Sequence, residues 1–237
     1  MPKMPYADPP WSFPRPAPKP ILIDRKGGRC RVRSLRPEDV DERHLKWMND
    51  PIVRAGLNIT GPAMGLVDFK RYVATFDHVA RNLFGVWTLE GELAGMVLLE
   101  IDRRHKRGSV HSVIGDAENR RQGLSAESVR LVAWHCFLER GLGKLSFEPL
   151  ARNEAAVSAC RAARLRQEGH LVAHRLNERT GERLDQLVFA LTEEEFKRRM
   201  IAYETLPPYE GPGVAPDFVA KAVRSYAGEP GRKPPAA

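Results

Sequence analysis

The chain has 237 residues, of which 42% are apolar and 29% are charged, a balance that allows one sizeable buried core and excludes collagen-like, disordered and disulfide-stapled chains. Its 38 Lys and Arg against 30 Asp and Glu leave a net charge of +8, which favours an anionic partner without choosing among RNA, a membrane surface and a phosphorylated cofactor. Three widely spaced cysteines without a CxxC pair, and no apolar run near the roughly 18–20 residues that cross a bilayer, predict a soluble, cytoplasmic protein without a membrane partner.

Proline placement predicts the domain boundaries. Eight of the 19 prolines lie in residues 1–20 and seven in 205–237, and proline both fixes φ and removes a backbone donor. We therefore predict extended or disordered arms over 1–28 and 201–237, flanking one domain over 29–200. In the alternative interpretation, aromatic residues pack the arms onto the domain or onto a second copy of the chain: Trp11, Phe13, Tyr209 and Phe218.

The first half of the domain alternates strand and helix signals. Residues 30–35 have the pattern of a strand, and Pro37 opens a helix whose acidic first turn suits the positive helix end. A second helix and three strands follow, at Phe69–Phe76 for the helix and at 84–89, 93–101 and 109–114 for the strands. The tight turn Glu90-Gly91 separates the first two of these strands, and strands joined by such short links are antiparallel neighbours.

The second half contains the best-defined helix signal. Apolar residues from Val129 to Phe137 recur at i, i+3, i+4, i+7 and i+8, and Gly141 ends the pattern. The elements after it are a strand over 144–148, a helix capped by Asn153, and a hairpin of strands 170–176 and 184–191 around Thr180-Gly181. This order predicts one α+β domain with a mixed, mostly antiparallel sheet flanked by helices.

The candidate chemistry is concentrated where the third strand of the first half meets this helix, at residues 114–127. Helix amides without intrahelical partners point into such a turn, Gly123 lets a ligand approach the backbone, and Arg120 and Arg121 add positive charge. These features predict an anion site suited to a pyrophosphate, although similar turns recur in proteins that bind nothing. The turn lacks the Gly-Lys-Ser/Thr of a Walker loop and the first two glycines of GxGxxG, which argues against ATP and NAD.

These residues resemble the GNAT superfamily of acyl-CoA-dependent N-acyltransferases, and the resemblance covers roughly 29–195. Its segments are the Arg120-x-x-Gly123-x-Ser125 turn, the Ile114-Gly115-Asp116 lead-in, and Asn153 followed by a small-residue helix and Glu168-Gly169. The early Trp47-Met48-Asn49-Asp50-Pro51 segment is similar to the branch with the ribosomal-protein and nucleotide-sugar N-acetyltransferases. Two departures are Ser125, where the family usually has Gly or Ala, and Cys160, where Tyr is common.

The resemblance implies a GNAT-like fold, acetyl-CoA as co-substrate, no metal, and an amine acceptor on a small molecule or a protein. It also implies that the turn amides hold the CoA pyrophosphate, that Asn153 contacts the CoA arm, and that pantetheine inserts beside the preceding strand. The resemblance assigns the strand residues Ser112, Val113 and Ile114 to pantetheine and the thioester. It assigns the turn residues to the pyrophosphate: Arg120, Arg121, Gln122, Gly123, Leu124 and Ser125. One strand N–H then stabilises the oxyanion, an effect of about 3–4 kcal/mol in comparable sites.

A general base must remove a proton from the amine. Glu148, at the end of the strand over 144–148, matches a position that carries the base in some protein-acetylating members of the family, and we rank it first. His111 lies on the strand beside the expected thioester and has the natural pKa for the task. The alternatives are a solvated carboxylate at the strand end for Glu148 and a packed sheet histidine for His111.

Three further signals are assigned with their alternatives. Cys160 is a candidate acid for the departing thiolate, since a free thiol titrates near 8.5, but its place on an apolar helix face favours core packing. The basic run 103–107 is either a solvated loop or a grip on the adenosine 3′-phosphate or an acidic acceptor. His170 and His174 fall in a predicted strand without a third ligand, so we expect no zinc site there.

Three function classes follow from the sequence. The leading one is an acetyl-CoA-dependent N-acetyltransferase. The second is a CoA-binding module without turnover, for which Cys160 and Arg164-Leu165, in place of the family's Tyr and Gly-Phe, are the hints. The third is an RNA- or ribosome-associated adaptor, suggested by the +8 charge alone; the lack of a recognisable nucleic-acid motif argues against it.

Overall fold

The structure is a computed structural model that describes residues 19–202. Its strands are β1 (Asp24–Lys26), β2 (Arg31–Ser34), β3 (Arg81–Trp87), β4 (Leu93–Asp102), β5 (Arg107–Ile114), β6 (Lys144–Phe147), β7 (Arg166–Leu176) and β8 (Arg183–Thr192). Its α-helices are α1 (Glu42–Asn49), α2 (Pro51–Leu57), α3 (Leu66–Ala74), α4 (Leu124–Trp134), α5 (Glu154–Ala162) and α6 (Glu193–Ala202). Within 19–202, every helix is too short or too polar to cross a membrane. The arm contacts suggested for Trp11, Phe13, Tyr209 and Phe218 lie outside the described residues.

All the strands belong to one sheet with the order β1-β2-β3-β4-β5-β6-β8-β7. Every neighbouring pair is antiparallel except β5 and β6, which run parallel because α4 carries the chain back between them. The structure therefore confirms the predicted α+β fold with a mixed, mostly antiparallel sheet, including the three-stranded run of β3, β4 and β5 and the closing hairpin of β7 and β8.

Helices cover both faces of this sheet. Because side chains alternate along a strand, Val97 and Leu99 of β4 face one apolar cluster, whereas Met96 and Leu98 face another. Buried side chains of α4, α5 and α6 complete the first cluster, and those of α1 and α3 complete the second. With both faces covered, the centre of the sheet is open to a ligand chiefly where neighbouring strands separate.

The first predicted helix begins later than its sequence pattern indicates. Residues 37–39 form a separate 3₁₀ turn. The α1 helix starts at Glu42 because the Asp41 carboxylate accepts hydrogen bonds from the N–H groups of Arg43 at 2.9 Å and His44 at 3.3 Å. The expected continuous helix from Pro37 is therefore wrong, since a better cap lies four residues further on.

Three elements have no counterpart in the sequence prediction: β1, α2 and α6. The β1 strand lies within 1–28, so part of the segment assigned to the N-terminal arm pairs with β2. The α2 helix carries ordinary start signals, because the Asp50 carboxylate accepts from the N–H groups of Ile52 at 2.7 Å and Val53 at 3.1 Å, and Pro51 occupies the first helical position.

Candidate functional site

The strands β5 and β6 stop pairing after Ser109, which leaves a gap in the hydrogen-bond ladder near the centre of the sheet. They pair only over residues 107–109 of β5, while β5 continues against β4 as far as Ile114. The N–H of Gly115 donates to the carbonyl of Ala94 at 2.9 Å. Because peptide groups alternate sides along an antiparallel strand, those of Ile114 and Ser112 face the gap.

The turn after β5 surrounds an open space with main-chain nitrogens. Gly123 is the N-cap of α4 and has a φ of 80°, a left-handed conformation that glycine adopts at little steric cost. The first intrahelical hydrogen bond of α4 runs from the N–H of Glu127 to the carbonyl of Gly123 at 3.0 Å. Within 19–202, the N–H groups of residues 121–126 have no acceptor. Consecutive free donors at a helix N-terminus favour an anion.

Side chains brace this turn against the end of β5. The Arg120 guanidinium donates from Nε to the carbonyl of Ile114 at 3.2 Å and from Nη2 to the carbonyl of Gly115 at 2.6 Å. The Ser125 hydroxyl lies 3.2 Å from the Ser112 hydroxyl and joins α4 to β5. Arg120 therefore fixes the shape of the turn, in addition to the charge that the sequence analysis assigned to it.

The β1–β2 turn docks on the start of α4, a contact that sequence reasoning missed. Glu127 Oε1 accepts from the N–H groups of Gly28 at 2.6 Å and Arg29 at 3.3 Å, and it pairs with Arg130 at 3.2 Å. A Cβ atom on Gly27 would overlap this carboxylate. The adjacent glycines were the only available sequence signal, and they indicate a turn without naming its partner.

The α1 helix is clamped onto the other side of the same turn. Trp47 Nε1 donates to Asp116 Oδ1 at 2.7 Å, and Arg43 Nη2 donates to Asp116 Oδ2 at 2.7 Å. The Trp47 ring also covers Gly115 so closely that a Cβ atom there would overlap it. Two segments that are distant in sequence, around Trp47 and around Gly115, therefore form one structural unit.

The carboxylate of one predicted base, Glu148, acts on the pKa of the other, His111. His111 pairs in register with Leu98, on the sheet face that α1 and α3 cover. Burial lowers the pKa of His111 from its ordinary 6.5, while the carboxylates of Glu148 and Glu100 act in the opposite direction and Arg175 acts in the same direction as burial. The imidazole is consequently neutral at pH 7 and able to accept a proton.

A buried glutamine organises the groups around these bases. Gln186 is 3% exposed; its Nε2 donates to the carbonyl of Glu148 at 2.7 Å, and its Oε1 accepts from Arg175 Nε at 3.1 Å. The sequence analysis did not identify Gln186 or Arg175, because their role depends on the pairing of β8 with both β6 and β7.

Three other predicted residues have structural partners. Asn153 caps α5 through its Oδ1, and its Nδ2 donates to the carbonyl of Gly56 in α2 at 3.2 Å. Cys160 packs in the first apolar cluster, and burial raises its pKa to about 11, which makes the thiol a poor proton donor. His170 bonds Asp185 at 2.7 Å across the β7–β8 hairpin.

Comparisons with known proteins give one family and one fold. The model of the acetyltransferase (GNAT) domain matches residues 37–172, and no curated protein matches significantly. A GCN5-related N-acetyltransferase from Brucella melitensis has a TM-score of 0.65 at 19% identity, over 78% of this chain and 87% of that one. A probable acetyltransferase from Chromobacterium violaceum has a TM-score of 0.65 at 20% identity, over 83% and 99%. Spermidine N-acetyltransferase from Vibrio cholerae, in complex with CoA and spermine, has a TM-score of 0.58 at 19% identity, over 70% and 96%.

Proposed function

This chain belongs to the acetyltransferase (GNAT) family, and we propose that it transfers an acetyl group from acetyl-CoA to a primary amine, which attacks the thioester directly. The observation that supports this proposal best is the run of unpartnered N–H groups at 121–126 beside the gap between β5 and β6. The turn suits a diphosphate, and the gap suits an extended chain such as the pantetheine arm. CoA carries these two parts in sequence, ahead of its thiol.

The residues fit the two parts of this co-substrate differently. The N–H groups from Arg121 to Ser125 bind the pyrophosphate, and Arg120 holds the turn in the required shape. Ser112 and Ile114 present their peptide groups to pantetheine and the thioester. Val113 packs in the cluster with α1 and α3, on the same sheet face as His111. We propose that the acceptor approaches from this face, since the base lies there.

Acetyl-CoA supplies an acyl group that is activated as a thioester. An N–H of Ser112 or Ile114 donates to the thioester oxygen, where negative charge grows as the amine attacks. His111 takes the amine proton, because it is neutral and lies on β5 next to Ser112. The C–S bond then breaks, and CoA leaves as a thiolate that takes a proton from solvent. The carboxylate of Glu148 supports the protonated imidazole. We therefore propose His111 as the direct base and Glu148 as its electrostatic partner.

For the acceptor, we propose a primary amine of the kinds that the family resemblance suggests. The acceptors to be tested therefore include nucleotide-linked amino-sugars and peptides that carry the N-termini of ribosomal proteins. Spermidine and spermine join them because the Vibrio cholerae neighbour is a spermidine N-acetyltransferase bound to spermine.

The test measures free thiol released when the full chain is incubated with acetyl-CoA and each acceptor. We expect release with at least one class, a product heavier by one acetyl group in the mass spectrum, and loss of both in His111→Gln. Arg71→Gln, on the exposed surface of α3, is the matched control and should retain wild-type turnover. Normal CoA binding with no release from any class would contradict the enzyme proposal and leave a CoA-binding module.

A further inference from the structure

We propose that Arg29 and Arg130 form a clamp for the 3′-phosphate of CoA, so that the protein selects CoA over 3′-dephospho-CoA. This inference rests on the proposed function, because it assigns the outer part of the same site. It draws on the β1–β2 turn, which lies outside the residues 37–172 that the family model matches.

The clamp lies in an open groove of about 440 Å³ next to Gly123. Three arginines line it, Arg29, Arg121 and Arg130, together with one carboxylate, Glu127. The groove extends from the turn to the docked β1–β2 turn and along the first turns of α4. It therefore continues the pyrophosphate site toward the β1–β2 turn and α4.

The charges in this groove are not balanced. Glu127 is already engaged by the N–H groups of Gly28 and Arg29 and by the Arg130 guanidinium. Within 19–202, the exposed guanidinium groups of Arg29 and Arg121 have no carboxylate partner. A phosphate monoester carries close to two negative charges at neutral pH, and arginine binds such groups through paired N–H donors.

The position of Arg29 matches the chemistry of CoA. A Cβ atom built on Gly123 would lie 3.4 Å from Arg29 Cδ and 3.6 Å from its Nε. In CoA, the pyrophosphate is attached to the 5′-oxygen of the same ribose that carries the 3′-phosphate. A diphosphate bound at the Gly123 turn therefore places the second phosphate within reach of a guanidinium that borders that turn.

The basic run 103–107, which the sequence analysis considered for the same phosphate, is at the wrong end of β5. Residues 103–106 form the β4–β5 loop and Arg107 begins β5, whereas the phosphate turn follows the last residue of that strand. The strand has eight residues, which separates its ends by roughly 25 Å. Arg104 is exposed in this loop and therefore provides a matched control.

Calorimetric titration of the full chain with CoA and with 3′-dephospho-CoA tests the clamp. We expect the wild type to bind CoA about tenfold more tightly, which corresponds to about 1.4 kcal/mol. Arg29→Gln should lose most of this preference by weakening CoA alone, while Arg104→Gln keeps it. Because the Arg29 side chain has no carboxylate partner in the described residues, thermal unfolding should be unchanged in the variant.

Each other outcome overturns a particular statement. Equal wild-type affinity for the two ligands contradicts the clamp and leaves the proposed function intact, whereas binding of neither contradicts the proposed function itself. Loss of affinity for both ligands in Arg29→Gln moves Arg29 to the pyrophosphate and overturns the assignment. Loss of the preference in Arg104→Gln instead transfers the 3′-phosphate to the 103–107 loop.

A competition experiment tests the clamp a second time. Adenosine 3′,5′-bisphosphate should compete with acetyl-CoA better than adenosine 5′-monophosphate does, and equal competition would contradict the clamp.

Discussion

His111 and Glu148 are both candidates to accept the amine proton, and replacing Glu148 distinguishes between them. Burial disfavours the imidazolium form of His111, and the Glu148 carboxylate partly offsets this effect. If His111 accepts the proton, Glu148 acts through the pKa of the imidazole. If Glu148 accepts it directly, the carboxylate is required for turnover.

We predict that Glu148→Gln lowers the pKa of His111 further, because it removes a charge that stabilises the protonated imidazole. The acid limb of kcat/KM should therefore move to lower pH, with turnover reduced several-fold at neutral pH. His111→Gln should reduce kcat by about 10²-fold, within the usual range for a lost general base. Near-normal kcat in His111→Gln, with the acid limb abolished in Glu148→Gln, would reassign the proton to Glu148.

Position 115 requires glycine because the structure leaves no room there for a side chain. Because a Cβ atom there overlaps the Trp47 ring, we predict that Gly115→Ala lowers the free energy of unfolding by about 1–3 kcal/mol, as overpacking does. Gly143→Ala is the control, since its Cβ atom would meet only the Lys106 carbonyl, at 3.9 Å. Denaturant unfolding measures both, and combining Gly115→Ala with Trp47→Ala should cost less than the two changes added together. Full additivity would mean that the ring is not what excludes the methyl group.

At the scale of elements, α4 contributes its free end to the ligand and its apolar face to the core. The cap of such a helix is normally a side chain that bonds the first amides. Gly123 has none, so these amides stay available, and its left-handed φ keeps the turn open. The stability that a side-chain cap would add is given up where a ligand is expected to bind.

We predict that Gly123→Ala weakens CoA binding, because a left-handed alanine costs about 1–2 kcal/mol and its methyl group enters the groove beside Arg29. Gly141→Ala is a matched control, since Gly141 is also left-handed, with a φ of 61°, and has open space around it. Both variants should unfold at similarly lowered temperatures, but only Gly123→Ala should change the CoA affinity measured by calorimetry. An equal effect on affinity would indicate that strain alone, not the phosphate turn, is responsible.

Local sequence patterns predicted most strands and helices and the phosphate turn after β5. They did not predict contacts between segments that are distant in the sequence. The apolar period of α4, Gly123 and the basic turn are all readable within a few residues. The Glu127 carboxylate meets Gly28 across 99 positions of sequence, and no local pattern encodes that contact. The start of α1 was misplaced for a different reason, since Pro37 and Asp41 both satisfy helix-start preferences and only Asp41 caps the helix with its side chain.

At the scale of the whole molecule, the sheet consists of two parts that meet along a short seam. The strands β1 to β5 form one part and β6 to β8 the other, and residues 107–109 pair with 144–146 between them. Beyond this seam the strands diverge, so the peptide groups of Ser112 and Ile114 lack a neighbouring strand. A pantetheine arm in the gap would occupy the position that a longer β6 strand paired with β5 would have taken.

We therefore predict that CoA stabilises the chain as a missing strand would, and does so locally. At a CoA concentration one hundred times its Kd, the free energy of unfolding should rise by about 2.7 kcal/mol. Hydrogen exchange should slow at Ser112, at Ile114 and at residues 121–126, because their amides gain acceptors, while the exposed β7 strand at the far edge of the sheet keeps its rate. Adenosine 3′,5′-bisphosphate, a fragment of CoA that lacks the pantetheine arm, should slow exchange at residues 121–126 and leave Ser112 and Ile114 unchanged. Uniform protection across all strands would mean that the ligand tightens the fold globally and does not lie in the gap.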